Sequence, residues 1–66
     1  MSNIATNLKK LREAKKLSQE KLARLADVAN NTIVKIEAGK NKNPTLETLT
    51  KIVKVLNVSV DDLIKK

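Results

Sequence analysis

The stretch from Ser18 to Glu37 constrains the fold most, because it reads as two short helices joined by a tight turn. Ser18 is a suitable N-cap for the first of them, since its hydroxyl can accept a hydrogen bond from a free amide of the first turn. Asp27 lies where the chain must turn, and Gly39 supplies a left-handed stop after the second helix. The predicted helices run from about Gln19 to Ala26 and from Ala29 or Asn30 to Ala38.

Start and stop signals of the same kind divide the rest of the chain. Pro44 blocks helix and Thr45 can cap the helix that follows. Asn57 is a plausible left-handed terminator, and Ser59 with Asp62 forms a capping box. The further predicted helices run over about Asn3 to Lys15, about Leu46 to Leu56, and from Ser59 through Ile64. Five helices without strands, repeats or a linker predict a compact all-α fold, with residues 1–66 as one domain.

Apolar residues at helical spacing give each helix an inward face. The expected core consists of Ile4, Leu8, Leu11 and Ala14 or Ala5 on the first helix, Leu22, Ala23, Leu25 and Ala26 on the second, Val28, Ile33 and Ile36 around the third, and Leu46, Leu49, Ile52, Val53 and Leu56 on the fourth.

Two charged residues lie at the margins of these faces. Arg12 comes four residues after Leu8, and Glu37 comes four residues after Ile33. A half-buried charge is costly unless it is paired. We therefore expect an Arg12–Glu37 ion pair that joins the first helix to the third and fixes the angle of the third.

The charge balance points to a polyanionic partner. Lysine and arginine number 14 against 7 aspartate and glutamate, a net charge of +7. This excess favours nucleic acid or an anionic membrane surface, with a mixed solvated surface as the alternative. The chain has no Phe, Tyr or Trp, whereas RNA modules and single-strand binders stack bases on aromatic rings. Membrane-surface helices also use aromatic anchors, so duplex DNA is the favoured partner and no membrane association is expected.

The absence of cysteine and histidine excludes most sites for chemistry. No disulfide, thiolate-metal site or histidine general base is available, so we expect no metal, no cofactor and no enzyme activity. No small-molecule ligand is evident either. The sequence has no apolar run of about 18 residues and no signal-peptide pattern. A cytoplasmic location, on the nucleoid through DNA binding, is expected.

The outward side of the third helix is not expected to pack against the core. At about 100° per residue, Asn30, Asn31, Val34 and Lys35 fall opposite the buried isoleucines. This side carries no acid, as a helix entering a phosphate-lined groove requires. Asparagine can bond adenine, lysine can reach guanine or a phosphate, and valine can pack on a thymine methyl. The alternatives are an ordinary solvated helix face, or a capping role for the two asparagines.

The order and spacing of these pieces resemble the Cro/phage-repressor type of helix-turn-helix protein, the XRE family, with its lambda-repressor-like fold. The resemblance extends from Leu8 to Ile64. The matching pieces are Leu11-Arg12, Leu17-Ser18-Gln19, Leu22-Ala23, Val28, Thr32-Ile33, Ile36-Glu37, Gly39-Lys40, Pro44-Thr45-Leu46-Glu47-Thr48-Leu49 and Leu56-Asn57-Val58-Ser59-Val60-Asp61-Asp62-Leu63.

The resemblance implies a role for each matching residue. Base-contacting positions are Asn30, Asn31, Val34 and Lys35, and DNA backbone-contacting positions are Gln19, Thr32, Lys40, Asn41 and Lys42. Arg12 and Glu37 match a buried ion pair of the family. The sequence departs from the family pattern where Asp27 replaces the usual glycine of the turn and Ala29 replaces the usual Ser or Thr cap, which leaves Asn30 or Asp27 to cap the third helix.

One recognition helix covers only a few base pairs, and members of this family dimerise on inverted repeats. Val55 lies off the inward stripe of the fourth helix, with Val58 and Ile64 nearby, so these three are expected in a homodimer interface. The expected function is a dimeric, sequence-specific transcriptional regulator of double-stranded DNA, acting by default as a repressor. The alternative is a protein-interaction module, such as an antitoxin or a transcriptional co-regulator, on the same fold.

Overall fold

The computed structural model describes residues 3–65. Within this range the chain forms five helices and no strand: α1 (Ile4–Ala14), α2 (Gln19–Ala26), α3 (Asn30–Glu37), α4 (Leu46–Leu56) and α5 (Val60–Ile64). The all-α prediction is confirmed, and α2 and α4 have the predicted bounds. The longest helices have 11 residues, and none of those described is long and apolar enough to cross a membrane.

Seven fully buried side chains, drawn from all five helices, form the centre of the core. They are Leu8, Leu22, Ile33, Ile36, Ile52, Leu56 and Leu63. α1 packs against α3 and α5, whereas α2 packs against α3 and α4. The third helix is therefore held from two sides by α1 and α2, and its remaining side faces solvent.

Two leucines expected in the core are exposed, so this part of the sequence interpretation is wrong. Leu25 is 52% exposed and Leu46 is 70% exposed. Leu22, Ala23 and Ala26 define the buried arc of α2, and Leu25 lies about 100° from its centre. Leu46 is the first residue of α4, where side chains tilt toward the N-terminus and so project beyond the neighbouring helices.

The predicted caps of α2, α4 and α5 are confirmed. Ser18 Oγ accepts a hydrogen bond from the Lys21 amide at 3.0 Å, and Thr45 Oγ1 accepts one from the Thr48 amide at 3.2 Å. Ser59 and Asp62 exchange two bonds of 3.1 Å, a complete capping box. These bonds satisfy helix amides that have no partner within the helix.

The first four helices all end in the same way, with one residue in the left-handed conformation. These residues are Lys16, Asp27, Gly39 and Asn57, with φ values of 58°, 58°, 78° and 58°. The next amide then bonds the carbonyl five residues earlier: Leu17 to Arg12 at 3.1 Å, Val28 to Ala23 at 3.0 Å, Lys40 to Lys35 at 2.9 Å and Val58 to Val53 at 3.2 Å. This is the Schellman motif, in which an apolar residue usually follows the left-handed one.

The end of α3 differs from the other three in the residue that follows the turn. Leu17, Val28 and Val58 are partly buried and pack against the core. At the end of α3 the equivalent residue is Lys40, which is exposed. The third helix therefore ends with a cation in solvent at the position where the other helices end with an apolar anchor.

An amide side chain joins the first helix to the last. Asn7 Nδ2 donates to the carbonyl oxygens of Leu63 at 2.9 Å and Lys65 at 2.6 Å. Both acceptors lie at the C-terminal end of α5, where carbonyl groups lack partners within the helix. Asn7 therefore fixes α5 against α1.

Candidate nucleic-acid interface

The support of α3 is centred on Glu37, its last residue. Arg12 Nε donates to Glu37 Oε2 at 2.7 Å, and Arg12 Nη2 donates to Oε1 at 3.0 Å. Gln19 Nε2 donates to the same Oε1 at 3.1 Å. One carboxylate of α3 thus accepts hydrogen bonds from both supporting helices, α1 and α2.

The charges of this cluster are almost enclosed. The side chains of Arg12 and Glu37 are 11% and 5% exposed. Arg12 Nη1 donates its own hydrogen bond to the carbonyl of Leu17 at 2.6 Å. The hydrogen bond with Glu37 raises the pKa of Arg12 above its ordinary value, against the opposing effect of burial. The guanidinium therefore remains charged, and the parallel pair of hydrogen bonds fixes α3 in orientation as well as in position.

The predicted base-contacting residues lie along the solvent side of α3. Asn30, Asn31 and Lys35 are exposed, and Val34 is half-buried. Thr32, predicted to contact the DNA backbone, is half-buried in the first turn. These side chains form a row that carries one positive charge and no negative charge.

No side chain caps the start of α3 within residues 3–65. The N-cap position is Ala29, which has no capping group, and the hydrogen bonds of this range include none from the side chains of Asn30 or Asp27. The capping role considered for these two residues is therefore wrong. The physical reason is that Asn30 is already helical while Asp27 ends α2 in the left-handed conformation. The side-chain amide of Asn30 is thus exposed and makes no hydrogen bond within residues 3–65.

The loop after α3 is tied to the end of that helix. The amides of Lys40 and Asn41 both donate to the Lys35 carbonyl, at 2.9 and 3.1 Å. Asn41 Oδ1 accepts from the Asn43 amide at 3.1 Å. Lys40 and Lys42 are exposed while Asn41 is half-buried. Two ammonium groups are therefore placed directly beyond the C-terminal end of α3.

Two shallow grooves border α3. Each contains a cation to which the sequence analysis assigned no role, Lys9 in the first and Arg24 in the second. The groove between α1 and α3 is lined by Lys9, Arg12, Gln19, Val34, Glu37 and Ala38. The groove between α2 and the start of α3 is lined by Glu20, Ala23, Arg24, Val28 and Asn30. The available signal for Lys9 is its spacing, three residues before Arg12 on the same side of α1.

The residues expected in a dimer interface lie near the C-terminal end. Val55 and Val58 are partly buried and pack against the core of their own chain. Ile64 is 39% exposed. The internal packing thus accounts for part of the apolar surface of the two valines, and Ile64 is the most accessible of the three.

Comparisons with known proteins agree with this arrangement. A family model described as helix-turn-helix matches residues 8–63. The uncharacterised HTH-type transcriptional regulator RC1195 of Rickettsia conorii is 38% identical, over 96% of this chain and 64% of its own length. The uncharacterised HTH-type transcriptional regulator RghRB of Bacillus subtilis is also 38% identical, over 96% of this chain and 45% of its own length. The chain therefore spans about half to two thirds of these relatives.

The fold is similar to that of a protein solved on DNA. SinR of Bacillus subtilis, a master regulator for biofilm formation, has been solved in complex with DNA. That structure superposes with a TM-score of 0.88 at 35% identity, covering 91% of this chain and 98% of the SinR chain. With the family match over residues 8–63, these findings show that the chain belongs to the HTH_3 helix-turn-helix family of DNA-binding transcriptional regulators, of the Cro/phage-repressor (XRE) type.

Proposed function

We propose that the chain binds an inverted-repeat operator in double-stranded DNA as a homodimer, with α3 in the major groove, and represses transcription. The observation that carries this proposal is the distribution of charge on α3. Its one carboxylate, Glu37, is bonded to Arg12 and Gln19, while its solvent side presents only neutral and positive groups. Such a surface can approach phosphates without repulsion.

The side chains on that surface suit recognition of base edges. Asn30 and Asn31 each offer an amide that can bond adenine N6 and N7 together, and Lys35 can donate to guanine O6 or N7. Val34 is short enough to pack on a thymine methyl. Asn31 and Lys35 are the principal readers in this proposal, because both are exposed and lie one helical turn apart.

The surrounding residues are proposed to hold the DNA backbone. Gln19 stands at the N-terminus of α2, where amide groups favour an anion. Thr32 and the loop residues Lys40, Asn41 and Lys42 would contact phosphates on either side of the major groove. Contacts of this kind set orientation and affinity but carry no sequence information directly.

One recognition helix covers only a few base pairs, and dimerisation would lengthen the DNA site that the protein recognises. Two recognition helices about 34 Å apart enter successive major grooves on one face of the duplex. We assign the interface to the surface that contains Val55, Val58 and Ile64. Occupation of an operator near a promoter would exclude polymerase, which makes repression the simplest mode of action. Such a regulator works in the cytoplasm, on the nucleoid, with residues 1–66 acting as one DNA-binding domain.

Selection of bound sequences from random duplex DNA tests this function. The expected result is an inverted repeat with half-sites about 10 base pairs apart, bound by two chains as measured by sedimentation. Recovery of a single half-site bound by one chain would contradict the dimer. If no sequence is enriched while a small protein co-purifies with the chain, the alternative function as a protein-interaction module is favoured.

A further inference from the structure

Helix α1 presents two neighbouring lysines to two different grooves. Lys9 lines the groove between α1 and α3, beside Val34 and Ala38. Lys10 lines the groove between α1 and α5, beside Asn7 and Asp62. Both side chains are exposed, and successive helical residues differ in direction by about 100°. The two lysines are therefore alike in charge and exposure, but they line different grooves.

The groove that contains Lys9 has a positive charge that nothing in it balances. Its other two charged residues, Arg12 and Glu37, neutralise each other at 2.7 Å. Within residues 3–65, the ion pairs are Arg12–Glu37 and Lys51–Glu47, so no carboxylate there is within ion-pair distance of Lys9. The rim of the groove also includes Val34, a proposed base reader, and Gln19, a proposed backbone contact. Because Gln19 and Lys9 line the same groove, a phosphate bound at Gln19 would enter the groove that also contains Lys9.

We infer that Lys9 is a further DNA-contacting residue, which binds a backbone phosphate and brings α1 into the interface. This inference rests on the proposed function, because it places the DNA against α3. A lysine ammonium is a compact, mobile point charge that suits a phosphate without fixing a base identity. Lys9 therefore adds affinity and salt dependence, and it leaves the choice of sequence to α3.

The test compares Lys9→Ala with Lys10→Ala, since both remove one charge from adjacent positions of the same helix. Dissociation constants are measured for the selected operator and a scrambled duplex over a range of salt concentrations. For Lys9→Ala we expect binding to both duplexes to weaken by about 5- to 10-fold, and the slope of log K against log salt to fall by about 0.9 per half-site. For Lys10→Ala we expect a change below about twofold and an unchanged slope, because its charge acts only at long range. Lys9→Arg should restore the slope.

Equal effects of the two alanine variants would overturn the inference, because the loss would then follow net charge alone. A change in the ratio of operator to scrambled affinity for Lys9→Ala would also overturn it, since a phosphate contact does not discriminate. Urea unfolding should show both variants to be as stable as the parent chain. If the parent chain prefers no duplex, the proposed function fails. If the parent chain prefers its operator but the two alanine variants behave alike, only the role of Lys9 fails.

Discussion

Arg12 and Glu37 are joined through two parallel hydrogen bonds, of 2.7 and 3.0 Å, across the contact between α1 and α3. The pair is enclosed on nearly all sides, and Gln19 completes it from α2. Removing one member of such a pair leaves the other charge buried without a partner. The resulting loss of folding stability is larger than the net stability that the intact pair contributes. The orientation of α3 thus depends on a charge contact and on the apolar core together.

For the buried pair, Glu37→Gln is expected to lower the free energy of unfolding by about 2 kcal/mol, because Arg12 loses its charged acceptor while the shape is kept. Glu47→Gln is the matched control. Its ion pair with Lys51 spans 3.5 Å and the glutamate side chain is 79% exposed, so its loss should stay below about 0.5 kcal/mol. Urea unfolding followed by circular dichroism measures both, and equal losses would contradict the structural role of the buried pair.

For the reading face, Asn31→Ala or Lys35→Ala is expected to reduce discrimination between the selected operator and a scrambled duplex by about 1–3 kcal/mol. Each change removes the hydrogen bonds that we propose to a base edge, and neither residue takes part in the Arg12–Gln19–Glu37 contacts that support α3. Competition binding at a fixed salt concentration gives the discrimination.

Lys40→Ala and Lys42→Ala provide the contrast to these two variants. They should weaken both duplexes alike and flatten the salt dependence, because they remove the proposed phosphate contacts. If Asn31→Ala leaves the specificity ratio intact, α3 does not read the sequence.

For the dimer, Ile64→Ser is expected to weaken self-association by about tenfold, equivalent to about 1.4 kcal/mol. The reason is the loss of an apolar side chain that is accessible in the single chain. Leu25→Ser is the control, since Leu25 is also exposed but belongs to α2, which contributes no residue to the proposed interface. Sedimentation equilibrium with and without operator DNA measures the association constant. A parent chain that stays monomeric at high concentration in both conditions excludes the two-fold assembly.

For the helix ends, Lys16→Gly should raise the free energy of unfolding by about 0.5–1 kcal/mol. Lysine at a φ of 58° is strained, and glycine removes that strain while losing more entropy on folding. Gly39→Ala should lower the free energy of unfolding by a similar amount. A Cβ at Gly39 meets no atom within 4 Å, so its cost is conformational. Urea unfolding of both variants gives the signs, and a shift in the same direction would contradict this account.

For the capping box, Ser59→Ala is expected to raise the pKa of Asp62 toward its ordinary value. The hydrogen bond from the Ser59 amide to the carboxylate is the largest cause that lowers this pKa in the folded chain, and the Ser59 side chain lowers it further. Since the folded-state pKa is the lower one, the stabilisation is present above the ordinary pKa and is lost as the pH falls through the folded value. A carboxyl titration by NMR of the parent and the variant gives the shift. An unchanged pKa would mean that the side-chain hydroxyl contributes nothing.

The sequence was sufficient where the chemistry is local. Ser18, Thr45 and Ser59 cap the helices that they were predicted to cap, because an N-cap acts on amides two or three residues away. The margins of the apolar stripes also predict the Arg12–Glu37 pair, which the structure contains.

The sequence was insufficient where distant residues decide. Lys16 has no intrinsic preference for the left-handed conformation, and it adopts this conformation where Leu17 packs into the core. Asn7 finds its acceptors 56 and 58 residues away along the chain. The groove that gives Lys9 its place exists only because α1 packs against α3. Helical periodicity identified the solvent side of α3, but it could not show which neighbours would border that side.

The bonding of Glu37 has a consequence for how specificity could change. The groups that hold α3 belong to Arg12, Gln19 and Glu37, whereas the outward amides and ammonium belong to Asn30, Asn31 and Lys35. Exchanges at exposed positions away from structural contacts usually alter stability by less than about 0.5 kcal/mol. The three exposed positions that we propose to contact bases can therefore be replaced together, by mutation or by transplanting them from a relative, on a scaffold that keeps its geometry. Under the proposed function, one architecture can in this way bind many different operators.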